Sequence, residues 1–321
     1  MKITVLDAKT LGGDLSFDRL GELGEVECFD LTPPEEIAPR LEQSEVAVVN
    51  KLRLSEENLK DARRLRLICV TATGYDNIDT AYCALRNIGV ANVVGYSTDS
   101  VAQLTAAIAL ELFMRLGSFS DFVKSGEYAA CGVANRLSPT FYELAGKTWG
   151  IVGLGNIGKR VAEIARAFGC RVICTKRTPE PGYEIVPLDE LMARADIVSV
   201  HLPLTEQTRG IINRERLALM KDGAVFVNVA RGAVTDERAL ADEARSGRLY
   251  VGADVYSSEP FDERHPFWEI KNLENVLLTP HMAWGAYEAR VRCIDEVAEN
   301  IRAFINGERR NRVEQQKNRL L

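Results

Sequence analysis

The chain has 321 residues, of which 46% are hydrophobic and 27% are charged. This composition is ordinary for a soluble globular protein of roughly two domains, and it excludes a disordered chain, a collagen-like chain and a small disulfide scaffold. The formal net charge is −6, and this acidic balance argues against a general nucleic-acid-binding surface.

No apolar segment in the sequence resembles a signal peptide or a membrane span. Residues 1–17 have no long apolar run, and the most apolar helical stretch, residues 101–114, contains Gln103 and Glu111. We therefore expect a cytoplasmic protein with no membrane partner. The seven cysteines show no CxxC spacing and are interpreted as reduced thiols. The three histidines lie in unrelated contexts, so no metal site is predicted.

The first part of the chain alternates short apolar strands with helical segments. Strands are predicted at residues 2–6, 26–29, 46–49 and 65–70, and helices at 15–23, 34–42 and 56–63. Pro34 suits a helix start because its φ is fixed near the helical value. Strands separated by helices pair in parallel, so this part is predicted to form an α/β domain.

A long, largely apolar helix over 98–128 and a loop over 131–144 precede a second α/β series. Its strands are predicted at 147–152, 171–174, 197–200, 224–228, 250–253 and 276–278, and its helices at 156–168, 188–194, 213–220, 236–246 and 286–305. Neither a repeat of fixed period nor a low-complexity linker is visible. The expected fold class is α/β, with two doubly wound parallel-sheet domains.

A glycine motif, Gly153-Leu154-Gly155-Asn156-Ile157-Gly158, follows the strand at 147–152 and opens an amphipathic helix. This context predicts a dinucleotide-binding turn. Gly153 allows the tight turn, Gly155 lets the backbone approach a pyrophosphate, and Gly158 lets helix and strand pack closely. The helix N-terminus supplies N–H donors and the positive end of a dipole. A glycine-rich turn without a ligand is the less favoured alternative.

The strand after this motif ends in Lys176, Arg177 and Thr178 rather than in the acid that would bind the ribose hydroxyls of NAD. Cations at this position suit a 2′-phosphate, and arginine matches phosphate oxygens best. The sequence therefore favours NADP(H) over NAD(H). A solvated loop with chance cations is the alternative.

Polar residues follow three later strands, and ligands of open parallel sheets bind beyond the carboxyl ends of strands. His281 is the natural proton donor near neutral pH for a 2-oxo acid carbonyl. Glu259 would orient His281 and favour its protonated form. Arg231 would hold the substrate carboxylate and polarise the carbonyl, while Asp254 is expected to face the nicotinamide amide.

Each of these residues also has an ordinary structural explanation. Arg231 could be a helix-end cation over Asp236, Glu259 a solvated turn residue and His281 a buried histidine with satisfied hydrogen bonds. Taken together, and after a matching dinucleotide turn, the set favours a reaction centre.

The segments GLGNIG, NVARGAVTDERAL, GADVYSSEP and TPHMAW resemble those of the D-isomer-specific 2-hydroxyacid dehydrogenase family. The resemblance covers nearly the whole chain, including ATGYDNID (72–79) and GYSTDSVAQ (95–103). Asn50-Lys51 and Trp284 make the chain most similar to the glycerate dehydrogenase/hydroxypyruvate reductase branch. Lys176 departs from the aspartate that many members carry, which puts NAD in doubt but not the reaction class.

The resemblance implies Arg231, Glu259 and His281 as catalytic residues. It also implies a Rossmann cofactor domain (99–285), a discontinuous flavodoxin-like substrate domain (1–98 and 286–321), and a homodimer built on the cofactor domain. The expected cofactor contacts are Gly153, Gly155, Asn156, Ile157, Gly158, Lys176, Arg177, Thr178, His201, Pro203, Thr208, Ala230, Asp254 and Ala283. The expected substrate contacts are Asn50, Thr73, Gly74, Arg231, His281 and Trp284.

The leading hypothesis is an oxidoreductase that reduces a small 2-oxo acid, hydroxypyruvate or glyoxylate, with NADPH. Alternatives are a reductase of D-lactate type or of bulkier 2-oxo acids, and a cofactor-sensing, corepressor-like protein without turnover. The retained Arg231, Glu259 and His281 favour an enzyme. A formate dehydrogenase is disfavoured because that relative has glutamine in place of the Glu259-type partner.

Overall fold

The computed structural model describes residues 1–314, and the chain divides into two compact units. Unit 1 contains Met1–Ser97 and the described residues from Gly285 onward, and unit 2 is Thr98–Trp284. Both junctions lie one residue before the expected ones. Residues 315–321 of the expected first domain lie outside the described residues.

Parallel strands alternate with helices along most of the chain. The strands are β1 (Lys2–Val5), β2 (Glu25–Cys28), β3 (Val46–Val49), β4 (Leu67–Val70), β5 (Gly89–Ala91), β6 (Thr148–Val152), β7 (Arg171–Thr175), β8 (Glu184–Ile185), β9 (Ile197–Val200), β10 (Val225–Asn228), β11 (Tyr250–Ala253) and β12 (Val276–Leu278). The helices are α1 (Asp18–Gly21), α2 (Ile37–Leu41), α3 (Glu56–Leu59), α4 (Thr80–Leu85), α5 (Thr98–Met114), α6 (Leu116–Lys124), α7 (Glu127–Ala130), α8 (Asn156–Ala167), α9 (Leu188–Arg194), α10 (Arg214–Leu219), α11 (Glu237–Arg245) and α12 (Tyr287–Ile305).

Unit 1 is built on a five-stranded parallel sheet in the order β2-β1-β3-β4-β5, which is the flavodoxin-like order. Residues of β3 and β4 are buried without exception, as expected for central strands covered on both faces. The sequence analysis missed α4 and β5, and α1 and α3 are shorter than predicted. The predicted flavodoxin-like α/β architecture is confirmed.

Unit 2 is built on a seven-stranded parallel sheet in the order β12-β11-β10-β9-β6-β7-β8. Its central part has the Rossmann order, with the reversal of direction between β6 and β9. The register places the last residues of six neighbouring strands in one row: Thr175, Val152, Val200, Asn228, Ala253 and Leu278. We call this the carboxyl row. The next residue of each chain segment therefore leaves the sheet at the same edge.

The single helix predicted over 98–128 is wrong. The chain breaks at Arg115, whose φ is +56°, and continues as two separate helices, α6 and α7. Much of α5 is buried against the sheet, where Gly252 allows close packing because a Cβ there would lie 2.2 Å from a methyl carbon of Ile108. By contrast, no residue of α6 is fully buried.

Residues 1–314 contain neither a single membrane-spanning helix nor a metal-ligand cluster. No single helix is long and apolar enough to cross a bilayer, and α5 with α6 meets the length and composition criteria only as a pair bent by 63°. Within the same residues, no group of three or more His, Cys, Asp or Glu side chains could hold a metal ion.

Candidate active site

The glycine turn between β6 and α8 has the shape that its sequence predicts. Gly153 has a φ of +99°, and a Cβ on it would lie 3.0 Å from the carbonyl carbon of His201. A Cβ on Gly158 would lie 2.3 Å from the carbonyl oxygen of Gly153, whereas a Cβ on Gly155 would meet open space. Two glycines are therefore required by packing within the turn, and Gly155 leaves room on its outer face.

The start of α8 fits an anionic ligand. Gly155 is the residue before the helix and offers no side chain to accept hydrogen bonds from the first N–H groups. These donors, at Asn156, Ile157 and Gly158, begin a helix of 12 residues whose dipole favours a negative charge at this end. The open space at Gly155 and the uncapped helix start together fit a dinucleotide pyrophosphate.

His201 follows β9 and lies beside the glycine turn. Its Nε2 is 2.9 Å from Ser199 Oγ. Trp149 Nε1 donates a hydrogen bond of 2.9 Å to the same hydroxyl oxygen. Burial lowers the pKa of the His201 ring to about 3, so the ring is neutral near pH 7. Its Nδ1 is buried and has no hydrogen-bond partner among the described residues. An uncharged ring of this kind suits the predicted contact of His201 with a cofactor.

Thr208 stabilises the segment that follows His201. Its hydroxyl donates to the carbonyl oxygen of Pro203 at 2.6 Å and accepts from the backbone N–H of Thr205 at 2.7 Å. These bonds close the loop that carries Pro203 past the sheet edge. The predicted contacts of Pro203 and Thr208 with a cofactor stay predictions.

The loop after β7 carries the three residues predicted to bind a 2′-phosphate. Lys176 is half-buried, whereas Arg177 and Thr178 are exposed. Sequence analysis missed Glu180, whose carboxylate forms ion pairs with Lys176 and with Lys159 of α8. An acidic residue is therefore present four residues after Lys176, although none ends the strand. Its pairing with the two lysines depends on how the loop folds.

Arg231 follows β10 in a turn built by Asn228. The buried Asn228 side chain accepts from the N–H of Ala230 and donates to the carbonyl oxygen of Arg231, both at 3.0 Å. Next to it, a Cβ on Gly232 would lie 2.1 Å from the carbonyl carbon of Tyr256. Backbone packing therefore places the turn that carries half-buried Arg231 against the segment that leads to Glu259.

His281 and Glu259 form a direct pair. His281 Nδ1 lies 2.5 Å from Glu259 Oε2, and the two side chains are 22% and 32% exposed. The other Glu259 oxygen accepts from the N–H of Tyr256 at 2.9 Å. His281 has a φ of +52°, which is uncommon for a residue with a Cβ and is held by the surrounding contacts. The predicted imidazole–carboxylate contact is present, and it fixes the ring by Nδ1.

Asp254 holds the segment that carries His281. Its carboxylate is fully buried and accepts from Thr279 Oγ1 at 2.6 Å, Met282 N–H at 2.9 Å and Ala283 N–H at 2.8 Å. Burial raises the pKa of Asp254, and these hydrogen bonds counteract that rise. The sequence analysis had assigned Asp254 to the nicotinamide. Its observed bonds are to the 279–283 loop, and the nicotinamide contact stays a prediction.

A buried cluster that sequence analysis missed supports the segment before Glu259. Glu237 and His265 are 7% and 6% exposed, with 2.9 Å between Oε2 and Nε2. His265 Nδ1 accepts from the N–H of Phe267, so Nε2 carries the proton that is donated to Glu237. The other Glu237 oxygen accepts from the N–H of Ser257 at 2.9 Å. Their long sequence separation left no local signal for this contact.

In unit 1, the predicted substrate residues lie in loops after β3 and β4. The buried carboxylate of Asp7 accepts from the N–H groups of Asn50 and Lys51 at 2.9 and 2.7 Å, which fixes the loop after β3. Asn50 Nδ2 donates to Thr10 Oγ1. The Thr73 hydroxyl donates to the carbonyl oxygen of Val93, so its proton is not available to a ligand carboxylate.

The Rossmann sheet, the glycine turn and the histidine–carboxylate pair at one sheet edge define unit 2 as the dinucleotide-binding part of an oxidoreductase. Residues 106–283 match the family model described as "D-isomer specific 2-hydroxyacid dehydrogenase, NAD binding domain". The chain belongs to this family of dehydrogenases.

Relatives with curated names agree with this assignment. The chain is 34% identical over 317 residues to a hydroxypyruvate reductase from Blautia hydrogenotrophica, which covers 96% of this chain and 98% of the relative. It is 33% identical to a glycerate dehydrogenase from Methylorubrum extorquens, with 88% and 89% covered. It is 39% identical to a glyoxylate reductase from Aeropyrum pernix, with 79% and 78% covered.

Two solved structures with bound cofactors are similar over nearly the whole chain. An acyclic imino acid reductase in complex with NADPH and D-Arg is 31% identical, with a TM-score of 0.84 over 98% of this chain and 100% of that one. A D-lactate dehydrogenase from Aquifex aeolicus, complexed with NAD and lactic acid, is 30% identical, with a TM-score of 0.81 over 96% of each chain. The similar folds thus accommodate either nicotinamide cofactor.

Proposed function

We propose that this dehydrogenase reduces hydroxypyruvate or glyoxylate and uses NADPH in preference to NADH. The observation that carries the proposal is the 2.5 Å pair between His281 and Glu259, placed at the sheet edge where the glycine turn also lies. The names of the relatives support a small 2-oxo acid as substrate. In reverse, the same site would oxidise D-glycerate or glycolate.

The cofactor would be held along the carboxyl row of unit 2. Asn156, Ile157 and Gly158 at the start of α8 would bind the pyrophosphate, and Lys176, Arg177 and Thr178 would bind the adenosine end. His201, Pro203, Thr208, Ala230, Asp254 and Ala283 are the remaining proposed contacts. When bound, NADPH supplies the hydride for the carbonyl carbon.

His281 would supply the proton that the reduced carbonyl oxygen needs. Glu259 occupies the Nδ1 side of the ring, so Nε2 is the nitrogen that exchanges a proton with the substrate. The second hydrogen bond of Glu259, from the N–H of Tyr256, keeps the carboxylate in position during this exchange.

The substrate carboxylate requires a cation and N–H donors. Arg231 would bind it with charge-assisted hydrogen bonds and polarise the neighbouring carbonyl. In unit 1, we assign the backbone N–H groups of Thr73 and Gly74 to the same carboxylate. They form no hydrogen bond within residues 1–314. Asn50 and Trp284 are proposed as residues that discriminate the substrate side chain.

Replacing His281 tests the central role directly. We expect His281→Ala to lower kcat for hydroxypyruvate by about 10²–10⁴-fold, which is the usual contribution of general acid catalysis. NADPH binding, measured by fluorescence titration, should change little because the ring's assigned task is proton transfer. Turnover close to that of the wild type would remove His281 from this role.

Glu259 positions the His281 ring in this mechanism. Its carboxylate contacts Nδ1, and a neutral amide at position 259 would form a weaker bond to the ring. We therefore expect Glu259→Gln to lower kcat for hydroxypyruvate about 10-fold, which is the loss of one charge-assisted hydrogen bond. Glu263→Gln, an exposed change in the same segment, is the matched control. The same kcat in the wild type, Glu263→Gln and Glu259→Gln would contradict this positioning role.

We also propose that the protein is a homodimer assembled through unit 2. Residues 116–142 expose several large apolar side chains. Monomeric proteins rarely expose large contiguous apolar patches. The exposed fractions are 57% for Val123, 61% for Val133 and 69% for Leu137. A second copy of this segment is the occupant that we propose for this surface.

Sedimentation tests the dimer. The wild type should sediment at about twice the chain mass of 35.6 kDa, and Leu137→Glu should shift the population towards the monomer because a charge would be buried at the interface. Leu85→Glu is the control, since Leu85 is 83% exposed and belongs to unit 1. A wild type that is monomeric at all concentrations would contradict the proposal.

A reducing, cytoplasmic location is proposed from the cysteines. All seven are free thiols and five are buried, which is usual for proteins of reducing compartments. Burial also raises the pKa of Cys69 to about 12 and that of Cys170 to about 11, so these thiols are unreactive. Cell fractionation should recover the protein in the cytosol, and recovery elsewhere would contradict this location.

A further inference from the structure

The loop after β7 folds back over α8 and is fixed there. Arg166 of α8 donates to the carbonyl oxygen of Gly182 at 2.7 Å, and its guanidinium carbon lies 4.6 Å from the centroid of the Tyr183 ring. Within this loop, the N–H of Tyr183 donates to the carbonyl oxygen of Glu180. The loop that carries Glu180 is therefore fixed against the last turn of α8.

The Glu180 carboxylate is shared by two ammonium groups. Lys159 Nζ lies 2.5 Å from Oε1, and Lys176 Nζ pairs with Oε2. The Glu180 side chain is only 20% exposed. The two lysines lower the pKa of Glu180 to about 2, so the carboxylate is ionised at all working pH values.

This cluster lies next to the glycine turn. The register pairs Val152, the residue before Gly153, with Thr175, the residue before Lys176. Lys159 lies in the first turn of α8, and its N–H donates to the carbonyl oxygen of Gly155 at 2.9 Å. The cluster therefore borders the adenosine end of the proposed cofactor site. Exposed Arg177 forms no ion pair within residues 1–314.

Lys159 and Lys176 can bind either the Glu180 carboxylate or an anionic group of a ligand. Arg177 can contribute to binding the ligand. A 2′-phosphate carries more negative charge than a carboxylate and forms strong charge-assisted bonds with ammonium and guanidinium groups. Glu180 presents its two oxygens where such an anion would make those bonds. Its presence neutralises part of the positive charge that would attract the phosphate.

We propose that Glu180 sets the cofactor preference by competing with the 2′-phosphate for Lys159 and Lys176. NADP(H) binds by displacing the Glu180 carboxylate, and Lys159 becomes a phosphate ligand alongside Lys176 and Arg177. This inference rests on the proposed binding of the adenosine end beside β7. It assigns the discrimination between cofactors to one carboxylate and adds Lys159 to the site.

Fragment binding tests the proposal without turnover. Isothermal titration measures 2′,5′-ADP and 5′-AMP on the full chain at one ionic strength, for the wild type, Glu180→Gln and Lys159→Gln. We expect Glu180→Gln to bind 2′,5′-ADP about 10-fold more tightly and Lys159→Gln to bind it about 10-fold more weakly, the size of one charged hydrogen bond. The ratio to 5′-AMP corrects for general effects on the site.

Glu184→Gln is the matched control. Glu184 lies in β8 and pairs with Arg194, so this variant removes a nearby carboxylate without freeing either lysine and should keep the wild-type ratio. Thermal unfolding checks that each variant is folded, and Glu180→Ala repeats the test with a different side chain. The ratio of kcat/KM for NADPH to that for NADH should change in the same direction as the binding ratio.

The outcomes separate this inference from the proposed NADPH preference. If neither Glu180 variant binds 2′,5′-ADP more tightly than the wild type, the competition is refuted even where the wild type prefers 2′,5′-ADP over 5′-AMP. If the wild type binds both fragments equally and Glu180→Gln gains a preference for 2′,5′-ADP, the NADPH preference fails and the competition stands. A loss of 5′-AMP binding in Glu180→Gln would refute the inference by making Glu180 a ribose ligand.

Discussion

The alignment of strand ends in the seven-stranded sheet determines where the proposed functional residues of unit 2 lie. Because the strands are parallel and in register, the carboxyl row joins Thr175, Val152, Val200, Asn228, Ala253 and Leu278. One residue later, the six chain segments reach Lys176, Gly153, His201, Val229, Asp254 and Thr279. A shift in register at any strand would separate groups that the chemistry needs on one edge. The register of the sheet therefore determines where the proposed cofactor contacts and the proposed proton donor lie.

Buried aspartates fix the loops at the sheet edge in both units. Asp254, just after β11, accepts from the backbone after the neighbouring strand β12. In unit 1, Asp7 lies shortly after β1 and accepts from the backbone after the neighbouring strand β3. In each case burial raises the pKa of the carboxyl group and backbone N–H groups counteract that rise. The hydrogen bonds offset part of the cost of burying each carboxylate, and they fix a loop that carries proposed site residues.

Local patterns were sufficient to predict most of the architecture, since alternation of apolar strands with helices and the glycine spacing are both short-range signals. The contact between Glu259 and His281 was also predicted, because parallel strands bring the residues that follow them to one edge of the sheet. The break at Arg115 was missed because the apolar pattern continues through it. The pairing of Glu180 with Lys159 was missed because it depends on how one loop folds back over a helix. The hydrogen bonds of Asp254 to the 279–283 loop were missed because they leave no trace in composition.

A few contacts connect the dehydrogenase family to a specific chemistry. In the mechanism that we propose, the His281–Glu259 pair would provide a proton, Arg231 would provide a cation for the substrate carboxylate, and the cations beside β7 would bind a phosphorylated cofactor. The membership in the 2-hydroxyacid dehydrogenase family makes the reaction class secure, while the choice of acid and of cofactor depends on the residues of this chain. In the competition that we propose, the cofactor choice would depend most on Lys176 and Glu180.

The most direct test is the initial rate of NADPH and NADH oxidation by the wild type, measured side by side with hydroxypyruvate, glyoxylate and pyruvate. The account predicts that hydroxypyruvate and glyoxylate are reduced with a higher kcat/KM than pyruvate, and that NADPH is the better donor. A preference for NADH would contradict the phosphate site while leaving the proton donor in place. The absence of turnover with all three acids, in a protein that binds NADPH, would contradict the central claim that this site reduces small 2-oxo acids.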